Sequence, residues 1–133
     1  MQFGKESFPM RTFFAALLLV IATAAHAEFL DDHEGMWEGQ GVTSDGIEWT
    51  FYARIDANGA KWNSIGDGCE GTWNFMEVYP NHADGWEDVT VGQDRCYVGL
   101  RIVLTPHDAS RIKAEWYLPN GMPVAEALMW PVQ

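Results

Sequence analysis

From residue 36 to residue 130 the chain keeps one rhythm, in which short runs of alternating apolar and polar residues are cut by turn signals about every ten residues. Ile47, Trp49, Phe51, Ala53 and Ile55 alternate with Glu48, Thr50, Tyr52 and Arg54. Cys69, Gly71, Trp73 and Phe75 alternate with Glu70, Thr72 and Asn74. Cys96, Val98, Leu100, Ile102 and Leu104 form a third apolar face that stops at Pro106, and Ile112, Ala114, Trp116 and Leu118 form a fourth. A period of two places one face of each run in a core and the other in water. Weaker runs span Met36 to Thr43, Ala60 to Ile65, Trp86 to Val91 and Pro123 to Trp130. The breaks are Ser44-Asp45-Gly46, Ala57-Asn58-Gly59, Gly66-Asp67-Gly68, Asn81 to Gly85, Gly92-Gln93-Asp94, His107 to Ser110 and Pro119-Asn120-Gly121. About eight strands joined by tight hairpins predict an all-β fold. A small antiparallel up-and-down barrel removes exposed edges, and a β-sandwich is the alternative. No helix is predicted beyond the leader.

That leader is Met10-Arg11 followed by the apolar run Phe13 to Ala25 and the small-x-small end Ala25-His26-Ala27. It reads as a secretory signal peptide covering residues 1–27. The run is shorter than the ~20 apolar residues of a membrane span. A single β domain over residues 28–133, periplasmic or secreted, is the expectation. The outward faces carry Glu48, Arg54, Lys113 and Glu115, which a lipid-facing barrel would not tolerate, so no stable membrane insertion is expected.

Export sets the reading of Cys69 and Cys96, the chain's two cysteines. In an oxidising compartment they are expected to pair. The bridge would close a loop of about 30 residues and contribute ~3 kcal/mol in the chain-entropy model. In a strict meander, however, the strands starting at these cysteines lie two positions apart, ~9.6 Å, whereas a disulfide needs Cα atoms within ~7 Å. Either the segment Trp86 to Val91 leaves the sheet early, or the barrel pinches there, or a sandwich brings the two strands together.

The chain has 8 basic and 19 acidic residues, and Lys5, Arg11 and Glu6 fall in the leader, so residues 28–133 carry a net charge of −12. Such a charge repels nucleic acid and anionic lipid. Basic partners, cations and neutral ligands remain compatible with it.

All seven tryptophans lie beyond the leader. Trp49, Trp73 and Trp116 sit in clear alternations and are expected in the core. Trp37, with Gly39 and Gly41 on its face, reads as a plug at the barrel entry. Trp62 and Trp86 lie beside turns and are candidate ligand-binding surfaces, together with Tyr97 and the loop residues His82 and Asp84. Asp31-Asp32-His33-Glu34 reads as a solvated terminal segment. His82, Asp84, Glu87 and Asp88 lack the spacing H-E-x-x-H or D-x-D-x-D-G, so no metal and no cofactor is assigned. No G-x-S-x-G elbow occurs, and no catalytic residue is assigned. Glu126 either faces inward, paired with Arg101 or Arg111, or faces water; the pattern leaves both open.

Cys69-Glu70-Gly71, Thr90-Val91-Gly92 and Cys96-Tyr97-Val98-Gly99 resemble the C-x-G, T-x-G and C-x-x-G elements of small exported bacterial β domains. Such domains stand alone or are attached outside the membrane to receptor kinases. Gly35-Met36-Trp37 is similar to the G-x-W start of lipocalin-like barrels. The resemblance implies a disulfide-bonded binding domain, not a ligand. The expected role is non-catalytic binding of a small molecule, sugar or protein partner by a monomer. An inhibitor of a basic secreted enzyme and a small carboxylate-based hydrolase or isomerase are the alternatives. An aromatic-lined pocket would favour the first, a solid core with a projecting acidic loop the second, and converging acid/base groups the third.

Overall fold

The alternating runs form eight strands, and these close into a ring. The computed structural model describes residues 28–133, so the leader assigned to residues 1–27 lies outside the described residues. The strands are β1 (Gly35–Thr43), β2 (Glu48–Asp56), β3 (Gly59–Ser64), β4 (Glu70–Val78), β5 (Ala83–Val91), β6 (Leu100–Pro106), β7 (Ile112–Tyr117) and β8 (Pro123–Pro131). Each pairs antiparallel with the next, and β1 pairs with β8 from Trp37 opposite Pro131 to Thr43 opposite Ala125. That last ladder leaves no free edge and excludes the sandwich.

Large aromatic rings fill the middle of the barrel. Phe51 lies 5.7 Å from Trp116 and 6.1 Å from Trp73, centroid to centroid, both edge-on. Trp73 and Trp116 lie 6.2 Å apart, and Trp49 packs edge-on against Trp116 at 5.5 Å. Edge-to-face contacts of this kind add ~0.5–1.5 kcal/mol each beyond the area they bury. Rings this large fit because β1 offers glycine opposite them. A Cβ on Gly39 would collide with the Phe51 ring, and one on Gly41 with the Trp49 ring. Trp37 is buried, as its plug role required, but the rings over the glycines belong to β2.

The two ends of the barrel differ. At the end where β1 begins, a short helix, α1 (Glu28–Asp32), buries Phe29 and Leu30 completely or nearly so. The His33 ring lies 4.3 Å from the Phe29 ring and donates from Nδ1 to the Phe29 carbonyl at 2.6 Å. Trp37 Nε1 donates to the His33 carbonyl at 2.8 Å. Asp31, Asp32 and Glu34 are exposed, as expected of a solvated segment, but His33 is half-buried and the Phe29-Leu30 pair just before them is a hydrophobic stopper. Phe29-Leu30 is too short an apolar signal to predict it, and its burial comes from the barrel rather than from helix propensity.

At the other end Cys69 and Cys96 are bonded, with Cα atoms 6.6 Å apart and a sequence separation of 27. The distance conflict is resolved differently from any of the three expected ways. β5 stays in the sheet to Val91, and both cysteines lie outside the strands, Cys69 just before β4 and Cys96 in the β5–β6 loop. The chain turns at Gly92, whose carbonyl accepts from the amides of Arg95 and Cys96, and β6 starts only at Leu100. Gly92 has φ +89°, and a Cβ there would lie 2.6 Å from Cys69 Sγ, so backbone angle and bridge both demand glycine. Cys96 and Val98 continued the apolar alternation but sit in this loop. The turn expected over Asn81 to Gly85 is likewise shorter, since β5 begins at Ala83, which is fully buried.

Candidate functional site

The end with the disulfide opens into an interior cavity of about 240 Å³. Its walls are the rings of Trp49, Phe51, Trp62, Trp73 and Trp116 with Leu100, and its rim includes Ile47, Arg95, Tyr97 and Ala125. The four connections at this end each present an exposed large apolar side chain: Ile47, Ile65, Tyr97 with Val98, and Met122. The apolar lining thus continues onto the rim. A groove of about 450 Å³ on the outer face, between Lys113, Glu126 and Trp130, is larger but has a single tryptophan in its wall.

The rim is held by a small polar cluster. Asp67 Oδ1 accepts from the Cys69 amide at 2.9 Å and from the Ser64 hydroxyl. Arg95 Nε donates to the Asp67 carbonyl at 3.0 Å. Together with the disulfide, these bonds join the β3–β4 loop to the β5–β6 loop.

Glu87 is the buried carboxyl of the barrel, with 8% of its surface exposed. It points inward from β5 and lines the cavity. Its Oε1 accepts from Trp73 Nε1 at 2.9 Å and from Trp116 Nε1 at 3.0 Å. Oε2 has no hydrogen-bond partner among the described residues. Burial raises the Glu87 pKa above its ordinary 4.5, and the two indole donors, which favour the anion, offset this only in part. A second polar group is unpaired. Among the described residues, Trp62 Nε1 is the one buried side-chain nitrogen or oxygen without a partner. A buried donor left unpaired costs about 1–3 kcal/mol.

The raised pKa has a stability consequence. The fold holds Glu87 protonated at pH values where the unfolded chain ionises it. The favourable contribution is complete below pH 4.5 and is lost as pH rises through the raised value. Glu87→Gln keeps the acceptor for both indoles and cannot ionise. Thermal melts of the two proteins are expected to diverge as pH rises above 4.5, with the wild type falling relative to the variant. A constant difference between pH 4 and pH 8 would show that Glu87 does not titrate differently on folding.

Of the sequence-derived binding candidates, Trp62 and Tyr97 line the cavity. The other three lie elsewhere. Trp86 is on the outer face of β5, 42% exposed, opposite Asn74 and Arg101. His82 is in the β4–β5 turn, at the stopper end, with its ring stacked 4.3 Å from Tyr79. Asp84 faces outward and takes two hydrogen bonds from Arg101, the Nε one at 2.8 Å. Asp88 accepts from Asn74 at 2.7 Å, so the acidic residues after His82 go to separate partners rather than to one centre. Glu126 faces outward, 3.9 Å from Lys113.

Glu87 was the residue missed. Position 86 holds tryptophan and 87 holds glutamate, so the pair alone suggests the opposite phase. The wider run gives the true one, because Ala83, Gly85 and Val89 share parity with Glu87, while Asp84, Asp88 and Thr90 share it with Trp86.

The fold and its open cavity define the class as a small closed β-barrel with an interior site at one end. No family model matches the chain, and no curated protein matches it. Solved structures do. A redesigned β-barrel, b11L5F_LGL, is similar with a TM-score of 0.59 at 14% identity, over 82% of this chain and 97% of that one. EF1p2_mFAP2b bound to DFHBI is similar with a TM-score of 0.57 at 11% identity, over 81% of this chain and 98% of that one. At these identities the likeness is one of fold. Among the described residues no helix is long and apolar enough to cross a membrane.

Proposed function

We propose that this chain is an exported, lipocalin-like barrel that binds a small aromatic molecule in its open end without transforming it. The observation that carries the reading is the open, aromatic-walled cavity with a single inward carboxyl, Glu87, whose Oε2 makes no bond to the protein. An apolar cavity of ~150 Å³ accommodates benzene, so 240 Å³ suits a one- or two-ring molecule. The barrel bound to DFHBI is a precedent for a bound molecule on this fold.

The inhibitor reading called for a solid core and the hydrolase reading for converging acid and base groups. The cavity speaks against the first. Glu87 and Asp67 both line it, but Asp67 is committed to the rim. Residues 1–27 serve as the export signal in this reading, and the disulfide suits the oxidising periplasmic or extracellular space it leads to. The −12 charge of residues 28–133 argues against nucleic-acid partners, and a monomer suffices because one ring encloses the whole site.

Calorimetric titration with 2-naphthylmethanol, 2-naphthylmethylamine and 2-naphthoate tests the proposal. At least one is expected to bind one-to-one. Ala125→Trp, which puts an indole at the rim, is expected to weaken that probe at least about tenfold, a loss of ~1.4 kcal/mol. Absence of binding by all three, or binding indifferent to Ala125→Trp, removes the proposal.

A further inference from the structure

We propose that the ligand of this cavity is an organic cation, an amine borne on the one- or two-ring framework, with Glu87 as its counter-ion. The inference rests on the binding role proposed above and adds the ligand's charge. Three observations carry it.

The first is that Glu87 is buried without a positive partner. Its neighbours on Oε1 are two neutral indole donors, and Oε2 is free. Buried carboxylates in proteins are ordinarily paired with a cation. The flanking strands supply none: β4 sends Gly71, Trp73 and Phe75 inward, and β6 sends Leu100, Ile102 and Leu104. The other charged groups lining the cavity are Asp67 and Arg95, with the Tyr97 phenol at the rim. Arg95 is held at the Asp67 carbonyl and lies 3.2 Å from Asp94.

The second is the wall. Tryptophan faces attract ammonium groups, the more so when desolvated, and four tryptophans line this cavity. The third is the −12 charge of the domain, which draws cations toward the mouth and repels anions.

The raised Glu87 pKa then has a role. Between the ordinary 4.5 and the raised value the empty barrel holds the carboxyl neutral, and there an arriving ammonium ionises it, so binding releases one proton. Amine affinity is therefore expected to rise with pH through the Glu87 titration and to level off above it, while affinity for the neutral alcohol stays flat.

The test compares 2-naphthylmethylamine with 2-naphthylmethanol, which share one framework, on wild type and Glu87→Gln. In wild type at pH 7.5 the amine is expected to bind at least about tenfold tighter than the alcohol. Calorimetry in buffers of different ionisation enthalpy is expected to show proton release for the amine alone near the Glu87 titration. In Glu87→Gln the preference is expected to shrink to the part that the tryptophan wall and the domain charge supply while the alcohol still binds, which also shows that the variant folds. Equal binding of both probes to wild type, or a preference undiminished in Glu87→Gln, overturns the charge assignment and leaves the binding role standing. Failure of every probe overturns both.

Discussion

Replacing Trp73 by alanine is expected to lower the unfolding free energy by about 3–5 kcal/mol. The side chain is 1% exposed, and its ring packs edge-on against Phe51, Phe75 and Trp116. Truncation opens a hole at the centre of the barrel and takes one of the two donors from Glu87. For a domain of this size the whole stability is ~5–15 kcal/mol, so the variant stands close to the unfolding threshold. Trp73→Phe keeps most of the ring volume and removes the N–H, so the gap between the two variants separates packing from the bond to Glu87. Guanidinium unfolding followed by far-ultraviolet circular dichroism measures both. A loss below about 1 kcal/mol for Trp73→Ala would mean that the ring is not the keystone its contacts suggest.

The disulfide is expected to be nearly as important. Converting both cysteines to alanine should cost about 3 kcal/mol by restoring the freedom of the unfolded loop between residues 69 and 96. Alanine is preferable to serine at position 69, where the side chain is fully buried and a hydroxyl would need a partner. Adding a reductant to the wild type should reproduce most of the loss, and should do nothing further to the double variant. Equal midpoints for the oxidised, reduced and double-alanine proteins would remove the bridge from the list of stabilising interactions.

The strands were legible where one face was wholly apolar. β2, β4 and β7 announce themselves by alternation, and the hairpin turns between them by Gly, Asn and Asp. β6 was read too long because Cys96 and Val98 extended the apolar series through a loop that is apolar on its surface. Val98 is exposed there, so a period of two carries no information about burial once the backbone leaves the ladder. Closure was available only as an architectural preference. The β1–β8 ladder joins residues about 90 apart, and no local pattern encodes it. The site divided in the same way. Trp62 and Tyr97 stood out as aromatics beside turns, whereas Glu87 was hidden by its neighbour Trp86, and only the phase of the whole strand reveals which of the two faces the interior. The stopper was invisible because two apolar residues next to an acidic run look like a tail until a barrel end is there to receive them.

With α1 corking one end, any molecule inside must leave by the route it entered. A change confined to the doorway, such as a looser β5–β6 loop, alters the barrier that arrival and departure share. It should speed or slow both by one factor and leave the equilibrium where it was. A change at Trp62 or Glu87 acts on the occupied state and should appear mainly as a shorter or longer stay. Exchange kinetics, more than affinity, would then tell the lock from the door.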